Sequence, residues 1–310
     1  DYLLIALKCL DISTCWTTHY KLSLEIHSLL AEMYACGGQL DDVQDAVDGV
    51  LAHAKTIEDS LRVHMVRFNV LFMQCKEARQ IELTLDLLAK IDQPLISKPS
   101  KLTIEWHRRQ ISARLNRLSD DDIRNLPQMK ETRKVTAVNI MSSAIISLFH
   151  LEQWGLSRMM VIRCIDLTLS DGLTRFTPIC FALASHAFFD EKRSLDLSVR
   201  CSVLATQLLE DVKSSDVQKR TSSALEIQSR TAMYRGMFAH WRLPLPIVAE
   251  EVFKGYQAGL QCGHLTSAFP CALVYSFSYF GSGLSLRPLL KDIESLCDRM
   301  AEYGSTNVIF

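Results

Sequence analysis

The side chains that most often bind metals or act as nucleophiles are plentiful here, with 10 cysteines and 9 histidines, but their spacing forms no known site. Zinc sites need closely paired thiolates or imidazoles. The sequence contains neither a C-x-x-C pair nor H-E-x-x-H. Most cysteines fall within apolar helical stretches, which favours reduced thiols packed as small hydrophobic side chains in an intracellular protein. We therefore expect no metal site.

Motifs for phosphate binding and catalysis are missing from the sequence as well. It contains no G-x-x-x-x-G-K-[ST] loop, no G-x-G-x-x-G, no H-R-D or D-F-G of a kinase and no G-x-S-x-G nucleophile elbow. The sequence therefore predicts no catalytic residue and no bound cofactor, and indicates that this chain is not itself an enzyme.

Two charged clusters are the next candidates. The basic run His107–Arg109, with Arg114 and Arg117, would suit phosphate or an acidic partner. A solvated helix face balanced by Asp120–Asp122 is the favoured interpretation. The acidic pair at 250–251 resembles the first turn of a helix that begins after two prolines, where carboxylates complement the helix dipole.

Aromatic residues concentrate in two stretches near the C-terminal end. Aromatic and arginine side chains are common in binding hot spots, although core packing between helices explains many such clusters. We predict a partner groove here, with core packing as the alternative for most members. The candidate groove residues are Tyr234, Arg235, His240, Trp241, Tyr275 and Tyr279.

Charge and hydropathy limit the partners. A formal net charge of −1 provides no field to attract nucleic acid or an anionic membrane. The uncharged stretch 259–286 contains Gln, His, Ser, Thr, Pro and Gly, so it is a poor membrane span. The chain begins without Met inside an apolar run and shows no signal peptide. We expect a cytoplasmic segment of a larger protein, with no nucleic-acid or membrane partner.

Helix breakers divide the chain into long amphipathic segments. The chain has 12 Gly and 8 Pro, and many of them lie at short breaks between these segments. Helical periodicity predicts helices over 18–36, 57–74, 77–91, 101–118, 131–153, 156–170, 174–189, 194–213 and 217–241, with a short one after Ser119.

The breaks also recur at a regular interval. Turns at 37–38 and 75–76 are 38 residues apart, and the apolar positions 245, 248, 249 and 252 recur 41 positions later, with Gly263 recurring as Gly304. Such a period predicts an all-α fold, a TPR-like α-solenoid of stacked antiparallel helix pairs, with an irregular helical bundle as the alternative. We expect N-terminal hairpins over 1–92 and a continuing array over 93–310, together one continuous solenoid.

Several short motifs suggest a family. They are Ala31 with Tyr34, His53-Ala54-Lys55-Thr56, the pair Leu87-Leu88, Phe238 with His240-Trp241, and Gly259-Leu260-Gln261-Cys262-Gly263-His264. Together they resemble the TPR-like region of large multidomain signalling kinases, which carry a Ser/Thr-kinase-like domain, an AAA-type STAND NTPase, the TPR-like region, and GAF or histidine-kinase modules. In that family the spacing between Phe and His-Trp is one residue longer.

The resemblance implies a function for this segment. We expect a non-catalytic helical-repeat scaffold that mediates protein–protein or interdomain contacts within a signal-transduction ATPase or kinase. Its partners would be neighbouring NTPase or kinase domains or another protein, and ATP binding and phosphotransfer would belong to those domains. The alternative is a small-molecule-sensing receptor with a pocket inside the helical superhelix, a hypothesis motivated by the aromatic cluster at 234–241.

Overall fold

The chain is all-helical in the computed structural model, which describes residues 2–10, 14–189, 195–215, 222–239 and 243–303. Within these ranges one isolated bridge, between Gln128 and Leu173, is the sole strand-like pairing. The helices are α1 Tyr2–Cys9, α2 Cys15–Thr18, α3 Tyr20–Cys36, α4 Leu40–His53, α5 Ile57–Met73, α6 Glu77–Lys90, α7 Lys101–Arg117, α8 Asp120–Arg124, α9 Thr132–His150, α10 Trp154–Asp171, α11 Thr177–Ala187, α12 Asp196–Ser215, α13 Ser222–Ala239, α14 Leu245–Cys262, α15 Leu265–Gly281 and α16 Leu286–Glu302.

Local sequence explains where these helices begin and end. Thr56 caps α5 by accepting a hydrogen bond from the backbone N–H of Asp59, whose carboxylate accepts one in return from the Thr56 backbone N–H. Ser119 and Asp122 form the same capping box at α8, the short helix that was expected after Ser119. Gly263 ends α14 in the left-handed region, with φ at 73°, where glycine has no steric penalty.

The expected helices are thus confirmed to within a few residues. Helices α14 and α16 begin at Leu245 and Leu286, which are 41 positions apart, so the predicted repeat appears in the helix starts. The turn expected at 190–192 and the recurring glycine at 304 lie outside the described residues. Across the described ranges, no helix is both long enough and apolar enough to cross a membrane.

Packing follows chain order. Each helix from α9 onward packs against the next, and α11 and α13 also contact the helix two positions before them. One hydrophobic core joins α3, α4 and part of α5, while a larger core runs from the other face of α5 to α16. Helix α5 therefore belongs to both cores, and the predicted division between residues 92 and 93 stays a prediction.

Helices from the two ends of the array also meet. Helix α5 contacts α15. The turn after α14 approaches the end of α3 so closely that a Cβ on Gly263 would lie 2.7 Å from Cys36 Sγ. A Cβ on Gly38 would lie 3.0 Å from the carbonyl oxygen of Tyr303. The chain thus returns on itself, and a cavity lies where its N-terminal and C-terminal helices face each other.

Two expectations about charged residues were wrong. Because α14 begins at Leu245, Glu250 and Glu251 lie beyond its first turn, and they form ion pairs with Lys254 and Arg235 instead of complementing the dipole. The carboxylates nearest the basic face of α7 lie elsewhere than expected. Arg108 and Arg109 pair with Glu105, and Arg114 pairs with Asp166. Of the three aspartates expected to balance that face, Asp120 pairs with Arg200, and Asp121 lies 3.8 Å from Arg124.

Candidate functional site: a cavity where the ends of the array meet

A cavity of about 620 Å³ lies between the N-terminal helices α3 and α5, the central helix α9, and the C-terminal helices α13 and α15. Its volume falls within the range of small-molecule sites, about 300–1,000 Å³. One wall is apolar and the rest carries a small number of charged and polar groups. The lining includes Glu32, Arg62, Met65, Asn69, Asn139, Arg175, Phe176, Glu226, Arg230 and His264.

Arg230 is the structural centre of the polar side of the cavity. Its side chain is only 3% exposed, and its guanidinium forms an ion pair with Glu226 at 3.0 Å. The same guanidinium donates to Asn139 Oδ1 at 2.8 Å and to the hydroxyls of Ser142 and Ser143 on α9. A buried charge is stable only when its hydrogen bonds are satisfied, so this network fixes α13 against α9.

Phe176 brings a second arginine to the same place. The guanidinium carbon of Arg175 lies 4.7 Å from the centre of the Phe176 ring, and that of Arg230 lies 5.5 Å from it. Both distances are within the range of cation–π attraction. Arg175 donates one hydrogen bond, to Ser223 Oγ at 3.0 Å. Among the described residues no carboxylate lies within ion-pair distance of Arg175, an exposed side chain that acts on the Glu226 carboxylate only at longer range.

The opposite side of the cavity holds a compensated arginine. Arg62 on α5 donates to both carboxylate oxygens of Glu32 and to one oxygen of Glu25. Hydrogen bonding to Glu32 raises the pKa of the Arg62 guanidinium, which therefore stays charged. This three-residue network joins α3 to α5, and the Glu32 carboxylate is already paired with the Arg62 guanidinium.

Burial controls the titration of the remaining groups. Desolvation lowers the pKa of His264 to about 4, although the nearby Glu226 carboxylate opposes that shift. His264 is therefore neutral at pH 7, and its Nδ1 pairs with Ser267 Oγ at 2.7 Å. Burial opposes ionisation of Glu226, but His264, Arg230 and Arg175 together hold the pKa of its carboxyl below the ordinary value. Because His264 is neutral at pH 7, the arginines stabilise that carboxylate.

Two polar groups on the cavity wall retain hydrogen-bonding capacity. The side-chain amide of Asn69 on α5 and the hydroxyl of Thr136 on α9 have no hydrogen-bond partner in the described part of the chain. An amide can donate and accept, and a hydroxyl can do the same. Both groups can therefore bind a polar molecule in the cavity without first breaking a bond within the protein.

Four of the six predicted groove residues lie within the described part of the chain, and none of these four lines the cavity. Tyr234 is 1% exposed and donates its hydroxyl to the backbone oxygen of Ser142, which places it in the core between α13 and α9. Arg235 pairs with Glu251 at 2.8 Å across α13 and α14. The groove at these positions stays a prediction.

The second half of the predicted groove is a separate group. Tyr275 on α15 donates to the Asp292 carboxylate of α16 at 2.5 Å, and its ring lies 5.8 Å from that of Tyr279. Desolvation by burial raises the pKa of the Tyr275 phenol. The two remaining groove residues, His240 and Trp241, lie outside the described residues.

All ten cysteines are free thiols. Cys164, Cys180, Cys201 and Cys271 are buried in the larger core, which agrees with packing as small hydrophobic residues. Among the described residues, no group of three or more His, Cys, Asp or Glu side chains is placed to hold a metal ion.

A comparison of the chain with protein-family models, curated proteins and solved structures finds no match in any of the three.

Proposed function

We propose that this chain is a non-catalytic helical-repeat scaffold that mediates protein–protein or interdomain contacts in a signal-transduction protein. Its architecture would be a TPR-like α-solenoid. The resemblance to the helical region of multidomain signalling kinases suggests neighbouring NTPase or kinase domains, or another protein, as the partner.

The packing order supports the solenoid proposal. In a solenoid, each helix contacts its successor and also the equivalent helix of the next pair. Here α3 contacts both α4 and α5, and α13 contacts both α14 and α15. The same alternation holds for α9, α10 and α11. Departures occur at α6, which packs on α9, and at α7, which packs on α10.

The observation that carries the scaffold proposal is an uncovered apolar face on α16. Ala249 of α14 is buried at 4% exposure because α14 packs between α13 and α15. The residue 41 positions later, Leu290 of α16, is 59% exposed. Leu286, one helical turn earlier, and Phe280 at the end of α15 are exposed as well. A face that the preceding repeat covers is therefore left available for a partner, and exposed apolar clusters commonly mark interaction sites.

Site-specific photo-crosslinking in the full native protein tests this proposal. A photoreactive phenylalanine analogue at position 280 or 290 should give an adduct with one defined polypeptide or domain. The control position is Gln261, which is exposed on α14 outside the apolar face. The double variant Leu286→Ser/Leu290→Ser should remove the adduct formed from position 280. Equal, low yields from positions 280, 290 and 261 would contradict a scaffold that uses this face.

The cavity favours a second candidate function, that of a small-molecule-sensing receptor. The supporting observation is the 620 Å³ volume where N-terminal and C-terminal helices face each other, with an apolar wall and a few fixed polar groups. A ligand there would stabilise the contact between the two ends of the array. A thermal-shift screen with nucleotides and metabolites tests this candidate, because a ligand that binds only the folded state raises its melting temperature. A broad library without any stabilising compound would contradict it.

A further inference from the structure

We propose that the cavity binds a small organic anion, with its negatively charged head at Arg175 and its apolar body between Phe176 and the α5 residues Met65 and Val66. This inference rests on the second candidate function, the small-molecule receptor, and names the chemical class of its ligand.

The charge balance of the cavity wall favours an anion. Among the residues that the structure describes, the lining contains three arginines, Arg62, Arg175 and Arg230, and two glutamates, Glu32 and Glu226. The Glu32 carboxylate is bonded to Arg62, and the Glu226 carboxylate to Arg230. His264 adds no charge at pH 7 because burial lowers its pKa. Among the described residues, Arg175 is thus the lining arginine without a direct ion pair, and its guanidinium is the one best placed to bind an anionic head group.

The hydrogen-bond inventory points to the same residue. The terminal nitrogens of Arg230 donate to four acceptors on α9 and α13. Arg62 likewise donates to Glu25 and Glu32. Arg175 donates one bond, to Ser223, although a guanidinium carries five N–H groups. A carboxylate can therefore accept a pair of charge-assisted hydrogen bonds from Arg175 without breaking an existing ion pair.

The remaining wall suits an apolar body of adaptable shape. Three methionines, Met33, Met65 and Met73, line the cavity with Val66, Val70 and Phe176. Methionine is unbranched and polarisable, so it fits ligands of varied outline. The free amide of Asn69 lies on the same helix as Met65 and Met73 and offers one further polar contact. An organic cation would instead have to compete with arginine for Glu32 or Glu226.

Methyl NMR with three matched probes tests the inference on the full chain. Octanoate, octan-1-ol and octylammonium share one alkyl chain and differ in the charge of the head group. In protein labelled at the methionine methyls, octanoate should shift Met33, Met65 and Met73 saturably. The buried Met160 and Met300, which do not line the cavity, should stay unchanged.

Substitution of Arg175 isolates the role of charge. Arg175→Gln should weaken octanoate binding about tenfold, the loss expected for a partly exposed charge-assisted hydrogen bond, and leave octan-1-ol binding unchanged. Arg117→Gln, an exposed arginine away from the cavity, is the control and should have no effect on either probe.

The outcomes separate the inference from the receptor function. Binding of octan-1-ol or octylammonium at these methionines, without tighter binding of octanoate, would overturn the anion inference and leave the receptor candidate standing. Equal octanoate affinity in Arg175→Gln and wild-type protein would also overturn it. Absence of a shift at the cavity methionines with all three probes would contradict the inference and count against the receptor candidate as well.

Discussion

Gly263 provides a quantitative test of the contact between the two ends of the array. It has φ of 73°, and an added Cβ would lie 2.7 Å from Cys36 Sγ and 3.1 Å from Cys36 Cβ. Gly283 shares the same φ, yet an added Cβ there meets no atom within 4 Å. The two glycines therefore share a backbone cost and differ in their neighbours, so Gly283→Ala is a matched control for Gly263→Ala.

The expected magnitudes follow from these two contributions. Placing alanine in the left-handed region costs about 1–2 kcal/mol, which applies to both variants. Overpacking adds about 1–3 kcal/mol where the neighbour must move, which applies to Gly263→Ala alone. We expect Gly263→Ala to lower the free energy of unfolding by about 2–5 kcal/mol in total. Cys36→Ala should reduce the cost of Gly263→Ala, because it removes the closer of the two clashing atoms.

These differences can be measured by urea unfolding. The double-mutant cycle compares wild type, Cys36→Ala, Gly263→Ala and the variant with both substitutions, and Gly283→Ala is measured as the control. A coupling free energy of about 1 kcal/mol between positions 36 and 263 would be consistent with direct contact. Equal costs for the two glycine substitutions, with no coupling to Cys36, would refute the packing of α3 against the turn after α14.

Three further outcomes are expected from burial and charge. Arg230→Ala should cost up to about 3–5 kcal/mol of unfolding free energy, because it removes a buried guanidinium and leaves the partly buried Glu226 carboxylate without its ion pair. Lys254→Ala, at an exposed ion pair, should cost under about 1 kcal/mol in the same urea assay. Burial lowers the pKa of His264 from 6.5 to about 4. As the pH falls, His264 therefore binds a proton in the unfolded state at a higher pH than it does in the folded state. Stability should therefore fall between about pH 6.5 and 4, by up to about 1.4 kcal/mol per pH unit for this proton, and less steeply in His264→Gln. Cys9 is exposed, whereas burial raises the pKa of the Cys201 thiol to about 12. Mass spectrometry should therefore find Cys9 alkylated promptly and Cys201 alkylated only on unfolding. Rapid alkylation of Cys201 in the folded protein would contradict its burial.

Helix positions were predictable from the sequence because local chemistry determines them. The Ser119 capping box and the glycine at 263 mark boundaries that the structure confirms. The prediction that Glu250 and Glu251 lie in the first turn of a helix was wrong. The helix already begins at Leu245, directly after Pro244, so the acidic pair comes after the first turn. Prolines indicate that a helix begins nearby, but they do not fix which turn a later residue occupies.

The cavity could not be predicted in this way. Glu226 and Arg230 are four residues apart, a spacing that is typical of a solvated ion pair on a helix surface. In the structure Arg230 is buried, and its guanidinium donates to Asn139, which is 91 positions away in the sequence. The period of the helices indicates that distant helices stack, but it does not indicate which of them face each other across an enclosed space. The one sequence feature that could have indicated the cavity is a set of polar side chains, such as Asn139 and Ser143, that interrupt the apolar pattern of α9.

The central claim is that the N-terminal helices pack against the C-terminal helices around one cavity. The most direct measurement is an NOE between the Cys36 β protons and the Gly263 α protons, in deuterated protein with protonated cysteine and glycine. The structure places an added Gly263 Cβ 3.1 Å from Cys36 Cβ, so we expect a strong cross-peak. Assigned resonances for both residues without a cross-peak would show that the ends of the array are apart, and would contradict the cavity.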